Sequence, residues 1–127
     1  MASQLKVDTI TGVTTAGSIL VTGEGNSTTT NLQQGLVKAW VLGSDAAALT
    51  GSFNISSGTD QGTGDYQYAI TNDMADANYA VTTVGTAQNN AEHCFNPARA
   101  TGTVDINIFD GSAQDRAQGV HICGDLA

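Results

Sequence analysis

Two cysteines, each beside a histidine, are the residues whose types and spacing first suggest chemistry: His93-Cys94 and His121-Ile122-Cys123. Two Cys and two His make a ligand set for a tetrahedral zinc site. On strands, His121 and Cys123 share a face while His93 and Cys94 point to opposite ones, so a closed site needs a local bend. A Cys94–Cys123 disulfide is a second reading. The start MASQLKVDTI lacks the apolar core of a secretory signal, which favours a reducing compartment and unpaired or buried thiols.

The carboxylates offer less. Asp105-Ile-Asn107-Ile-Phe-Asp110-Gly111 reads D-x-N-x-x-D-G, one residue out of register with a calcium loop, and its Ile and Phe demand burial. A strand ending in an Asp-Gly turn is expected there. Asp60 and Asp65 flank Gly62 and Gly64, glycines that a hairpin turn already requires. Thr22-Gly-Glu24-Gly-Asn26 has a carboxylate where a phosphate loop needs Lys. Asp73 and Asp76 bracket Met74-Ala75 in a polar connection and read as solvated. Neither histidine sits near a nucleophile elbow. An isopeptide crosslink from Lys38 would need a partner Asn and a buried carboxylate, so Lys38 reads as a solvent-facing or snorkelling strand residue. Asn26-Ser-Thr28 and Asn54-Ile-Ser56 match the glycosylation pattern by chance in a chain without a secretory signal. The expectation is a protein that is not an enzyme, with no catalytic residue, no metal site and no cofactor.

Composition agrees with that expectation. Among 127 residues, 4 Lys and Arg face 12 Asp and Glu, a formal net charge of -8. Nucleic acid is thereby excluded as a partner, since nothing supplies the field that holds phosphates. Only 13% of residues are charged while 15 are Gly, so the surface is neutral and polar and suits close subunit contacts. The most apolar run, Leu36 to Leu42, is short and interrupted by Lys38, which argues against a membrane span.

The elements that must position these residues are strands. Leu5-Lys-Val7-Asp-Thr-Ile10 alternates with period 2, and Ser18 to Thr22 is β-branched; between them Thr-Gly-Val-Thr-Thr-Ala-Gly is turn chemistry. Residues 22–35 hold one apolar side chain and cannot fold alone. Residues 1–35 are therefore read as an extended N-terminal β arm and residues 36–127 as a head domain. In the head, strands are expected at Leu36 to Leu42 and at Ser52 to Ser56, with Phe53 and Ile55 on one face. A turn over Thr59 to Asp65 leads to Tyr66 to Thr71, with Tyr66, Tyr68 and Ile70 aligned in a hairpin. Asn78 to Thr86, Gly102 to Phe109 with Val104, Ile106 and Ile108 on one face, and Gly119 to Cys123 complete the set. Ala87 to Thr101, with Pro97, reads as irregular, and Ser44 to Leu49 is too short for the helix its alanines suggest. The fold class is all-β: a single antiparallel, jelly-roll-like β-sandwich.

Two segments carry a family resemblance. Ser3-Gln-Leu-Lys-Val-Asp-Thr-Ile10 is similar to the S-x-L-K-V-D-x-I opening of tail-fibre and related structural proteins of marine phages. Val37-Lys-Ala-Trp-Val41, Ser52-Phe-Asn-Ile-Ser-Ser57, Gly62-Thr-Gly-Asp-Tyr66 and Ala77-Asn-Tyr-Ala-Val81 resemble the K-A-W-V, S-F-N-[VI]-S-S, G-T-G-D-Y and M-x-x-A-N-Y-x-V sequences of phage tail-fibre distal domains. The match covers residues 3–10 and 37–81, and beyond Thr86 only the ending Val120-His-Ile-Cys-Gly124 is loosely alike. The resemblance implies a homotrimeric, β-structured virion component without enzymatic activity.

Arm length decides which component. Thirty-five extended residues reach about 120 Å, too little for a fibre shaft together with an anchor and a tip. The expectation is a capsid decoration (cement) protein on the outer head surface, made in the host cytoplasm. Its partners would be its own copies, the major capsid protein and other virion proteins, with no nucleic acid and no membrane. Leu5, Val7, Ile10, Ile19, Val21 and Leu32 are the arm residues placed to make such contacts. The alternative is a tail-fibre tip or adaptor whose Trp40, Tyr66, Tyr68 and Tyr79 stack on host-surface sugars, although alternation sends most of these rings inward. A free carbohydrate-binding or hydrolytic domain would need a secretory signal or a catalytic constellation.

Overall fold

Residues 4–12, 19–23, 28–85, 93–95 and 97–127 are described by the structure, a computed structural model. The chain divides into two compact units, Met1–Gly35 and Leu36–Ala127. In the first, β1 (Leu20–Thr22) pairs antiparallel with β2 (Thr29–Asn31), Leu20 opposite Asn31. One helical turn follows, α1 (Leu32–Gly35), a departure from the all-extended arm. Asn31 caps it: its Oδ1 accepts from Gln33 N at 2.8 Å, satisfying one of the orphan donors at a helix start. Leu5 to Ile10 is not a strand, contrary to its alternation. Alternation marks a face but supplies no ladder, and no described strand pairs with this segment. Ser18, most of the expected turn before it, and Glu24 to Asn26 lie outside the described residues.

Among its described residues the second unit has nine strands. Chain order runs β3 (Val37–Gly43), β4 (Leu49–Phe53), β5 (Ile55–Gly62), β6 (Asp65–Ile70) and β7 (Ala80–Gly85). Then come β8 (His93–Phe95), β9 (Arg99–Ala100), β10 (Thr103–Phe109) and β11 (Gln118–Cys123). One sheet is ordered β4-β3-β11-β7 and the other β5-β6-β10-β8, with β9 also on β10; every pairing is antiparallel. The two sheets pack as a β-sandwich. Between them lie Ala39 and Val41 of β3 and Val120 and Ile122 of β11, against Tyr66, Tyr68 and Ile70 of β6 and Val104, Ile106 and Ile108 of β10. The period-2 patterns of β6 and β10 thus point where alternation sends them, each large side chain contributing about 1.5–3 kcal/mol by burial.

Asn54 overturns one expectation. Ser52 to Ser56 is not one strand with Phe53 and Ile55 side by side: Phe53 ends β4 at 55% exposed, and Ile55 begins β5 at 7%. Between them Asn54 adopts φ 58°, a left-handed conformation that breaks the alternation and carries the chain from one sheet to the other. Its side chain replaces the lost ladder. Nδ2 donates to the carbonyls of Lys38 and Asn72, each at 3.1 Å, and Oδ1 accepts from Asn72 N at 2.8 Å and Asn72 Nδ2 at 2.9 Å.

One further segment differs from its reading. Ala87 to Thr101 is not wholly irregular, since β8 and β9 form there as short edge strands on β10; residues 86–92 and 96 lie outside the description. Ser44 to Ala48, read as too short for a helix, is a turn in which Ser44 Oγ accepts from Ala46 N and Ala48 N at 3.2 and 3.1 Å. Serine here offers the backbone an alternative to helix.

All three tyrosines of the chain serve as core ties. Tyr66 Oη donates toward the Asp45 carbonyl (3.1 Å) and Asp115 Oδ1 (3.3 Å) and accepts from Arg116 N (3.0 Å). Asp115 Oδ1 also accepts from Gly64 N at 2.7 Å, which pins the β5–β6 turn to the loop before β11. Gly64 has φ 68°, and a Cβ there would lie 2.6 Å from the Ile108 carbonyl oxygen, so only glycine fits. Tyr68 Oη bonds the buried Gln118 amide, whose carbonyl oxygen best faces that hydroxyl while its nitrogen faces the carbonyls of Ser44 and Arg116. Tyr79 Oη donates to the carbonyls of Thr103 at 2.8 Å and Ala100 at 3.0 Å. Arg99 stands 6.0 Å over its ring and donates to its carbonyl at 2.7 Å.

Candidate interaction surface

Register places the outer face of the β4-β3-β11-β7 sheet residue by residue. One cross-strand row reads Phe53, Trp40, His121, Thr82, and the next Gly51, Leu42, Gly119, Val84. Leu42, Phe53 and Val84 are 52%, 55% and 61% exposed, while Trp40 is half-buried. The two glycines shape this face. A Cβ at Gly51 would lie 3.4 Å from the Trp40 ring, so the bare backbone seats the indole, a known remedy for an edge-strand glycine. A Cβ at Gly119 would lie 2.9 Å from Val84 Cγ1 and 3.5 Å from Leu42 Cδ2. Between those two side chains runs a groove of about 160 Å³, bounded also by Thr82 and His121.

Charge sorts between the sheets. None of the four strands of this sheet contains Asp or Glu, although the chain has 12. The opposite sheet carries Asp60, Asp65 and Asp105, and on its outer face Gln67 Nε2 donates to Asp105 Oδ1 at 2.8 Å. That face is polar except near β8, where Phe95 and Phe109 are exposed. Burial of a carboxylate-free apolar face on a strongly acidic chain would desolvate few charges.

Arm residues also expose apolar surface, within their own unit. Leu5, Val7, Ile10 and Val21 are 80%, 53%, 56% and 51% exposed, and Ile19 and Leu32 are intermediate, Leu32 N donating to the Ile19 carbonyl at 2.9 Å. The other aromatic candidates divide. Tyr66, Tyr68 and Tyr79 are 0%, 0% and 3% exposed, so of the four rings only Trp40 can meet a ligand.

The candidate metal ligands are not gathered. Cys94 on β8 lies opposite Ile108 and packs against the core, while His121 faces outward from the other sheet, and Cys94 and Cys123 are not joined in a disulfide. The side chain of His93 lies outside the description. Among the described residues no three His, Cys, Asp or Glu cluster as ligands. Asp60 Oδ1 accepts from Gly62 N at 3.0 Å, a turn bond. Asp110-Gly111 is a turn after β10, Gly111 at φ 67°. Asp76 accepts from Asn78 N at 2.7 Å and Nδ2 at 3.0 Å, bonds that hold its carboxyl below the usual range. Lys38 corrects its reading: at 8% exposed on β3, an inner strand of its sheet, it does not face solvent.

Sequence reasoning gave Leu42, Phe53, Val84 and Gly119 no place in a site and set Phe53 on one face with Ile55. One signal was present. Val-Lys-Ala-Trp-Val-Leu-Gly is apolar at both alternating sets, Ala39 and Val41 inward and Trp40 and Leu42 outward, as in strands covered on both faces. No described helix is long and apolar enough to cross a membrane. No protein-family model, curated protein or solved structure matches the chain.

Proposed function

We propose that this protein is a non-enzymatic structural component of a bacteriophage virion. In this reading it is a homotrimeric decoration protein on the outer capsid surface that stabilises the capsid subunits. The observation that carries the assembly role is the acid-free outer face of the β4-β3-β11-β7 sheet, apolar and exposed on a chain of net charge -8. Exposed Leu5, Val7 and Ile10 in the first unit support a second set of contacts, with the capsid. The virion assignment itself rests on the sequence resemblance. The tail-fibre tip alternative is weakened by three tyrosines committed to the core.

The test pairs mass with function. Native mass spectrometry of the purified protein is expected to give three chains, and heads carrying it are expected to rupture at higher temperature than heads lacking it. Equal rupture temperatures would refute the decoration role. A copy number of a few dozen per virion, with lost adsorption on deletion, would replace it with the tail reading.

A further inference from the structure

The groove beside Gly119 and the exposed ring of Phe53 lie on the same face but at opposite sides of it. Phe53 is on the edge strand β4, and the groove runs between Leu42 and Val84 over β11. β4 and β11 are two strand spacings apart, about 10 Å, with Trp40 and Leu42 of β3 between them. Phe53 therefore cannot fill its own molecule's groove. We propose that this face is the contact between copies of the chain, with Phe53 of one copy seated in the groove beside Gly119 of the next.

Three observations argue for a second copy as the occupant. Volume fits: an apolar cavity of about 150 Å³ takes a benzene ring, and this groove offers about 160 Å³. Lining fits, since the Leu42 and Val84 side chains present apolar surface to a phenyl group. Charge fits as well: copies with a net charge of -8 repel one another, and this sheet's strands bring no carboxylate to the contact. A contact between two different patches is heterologous, and repeated by rotation it closes a ring. The proposal rests on the homo-oligomeric reading above and adds the face, the knob and the hole.

The test uses the full chain, its Phe53→Asp and Val84→Lys variants, and their equal mixture, each followed by native mass spectrometry and circular dichroism. Each variant is expected to keep the wild-type spectrum and to run as a monomer, with association weakened about a hundredfold. The mixture is expected to form dimers, because one intact knob and one intact hole remain per pair. A folded variant that keeps the wild-type mass overturns the contact and leaves the oligomeric reading standing. A monomeric wild-type chain overturns both. Thr82→Lys at the groove rim and Phe53→Ser serve if either first variant fails to fold.

Discussion

Replacing Asn54 by Ala removes both devices that turn the corner between the two sheets. Its side chain makes four hydrogen bonds, one part-buried and three exposed. A part-buried bond contributes about 1 kcal/mol, and the exposed ones compete with water and contribute less, so their sum is about 2 kcal/mol. Left-handed φ adds a further cost of about 1 kcal/mol for Ala, which Gly does not incur. The expected losses are about 3 kcal/mol for Asn54→Ala and about 2 kcal/mol for Asn54→Gly. Urea unfolding followed by circular dichroism measures both, with an unchanged slope as the condition for comparing midpoints. An Ala variant within about 0.5 kcal/mol of wild type would refute the account of the corner. Equal losses for Gly and Ala would refute the backbone part of it.

Alkaline pH should act through the tyrosines. Burial pushes Tyr66 and Tyr68 up to about 12 from 10.0, and Tyr79 upward as well. Their neutral forms are the ones the fold accommodates, so this contribution is complete below pH 10 and is lost as pH rises toward 12. Tyrosinate absorbance is expected to appear only together with unfolding; a tyrosine ionising near pH 10 in the folded protein would contradict it. Gly43→Ala drives a Cβ into the Tyr68 hydroxyl, an overpacking cost of about 1–3 kcal/mol. Tyr68→Phe is expected to recover part of that loss in the double variant's thermal midpoint, and strict additivity would argue against the clash. Asp115→Ala leaves Gly64 N without its acceptor and takes one of three partners from Tyr66 Oη, for a loss of about 1–3 kcal/mol. Hydrogen exchange at Gly64 is expected to rise with it, and unchanged exchange would speak against the pin.

Core strands were legible because alternation alone places Tyr66, Tyr68, Ile70, Val104, Ile106 and Ile108. The corner at Asn54 was not. A left-handed residue inverts the alternation after it, and Ser-Phe-Asn-Ile-Ser reads as one strand unless that φ is known. β8 and β9 escaped because they are edge strands of three and two residues whose pairing comes from β10, not from their own pattern. Leu5 to Ile10 erred in the other direction, showing the pattern without a partner. The outer face of the β4-β3-β11-β7 sheet stayed hidden for a further reason. Its rows combine residues from four strands, and Gly51 and Gly119 signal nothing until register sets them beside Trp40 and Val84.

The placement of the rings divides the protein's ultraviolet signal between two questions. The single Trp lies outside, over Gly51 and next to Leu42, while the three Tyr lie inside and are bonded to backbone or amide groups. Indole emission therefore reports whether that face is wet or covered, and phenol ionisation reports whether the sandwich is intact. A change in Trp40 emission with silent tyrosines would be the optical trace of assembly without any change of fold.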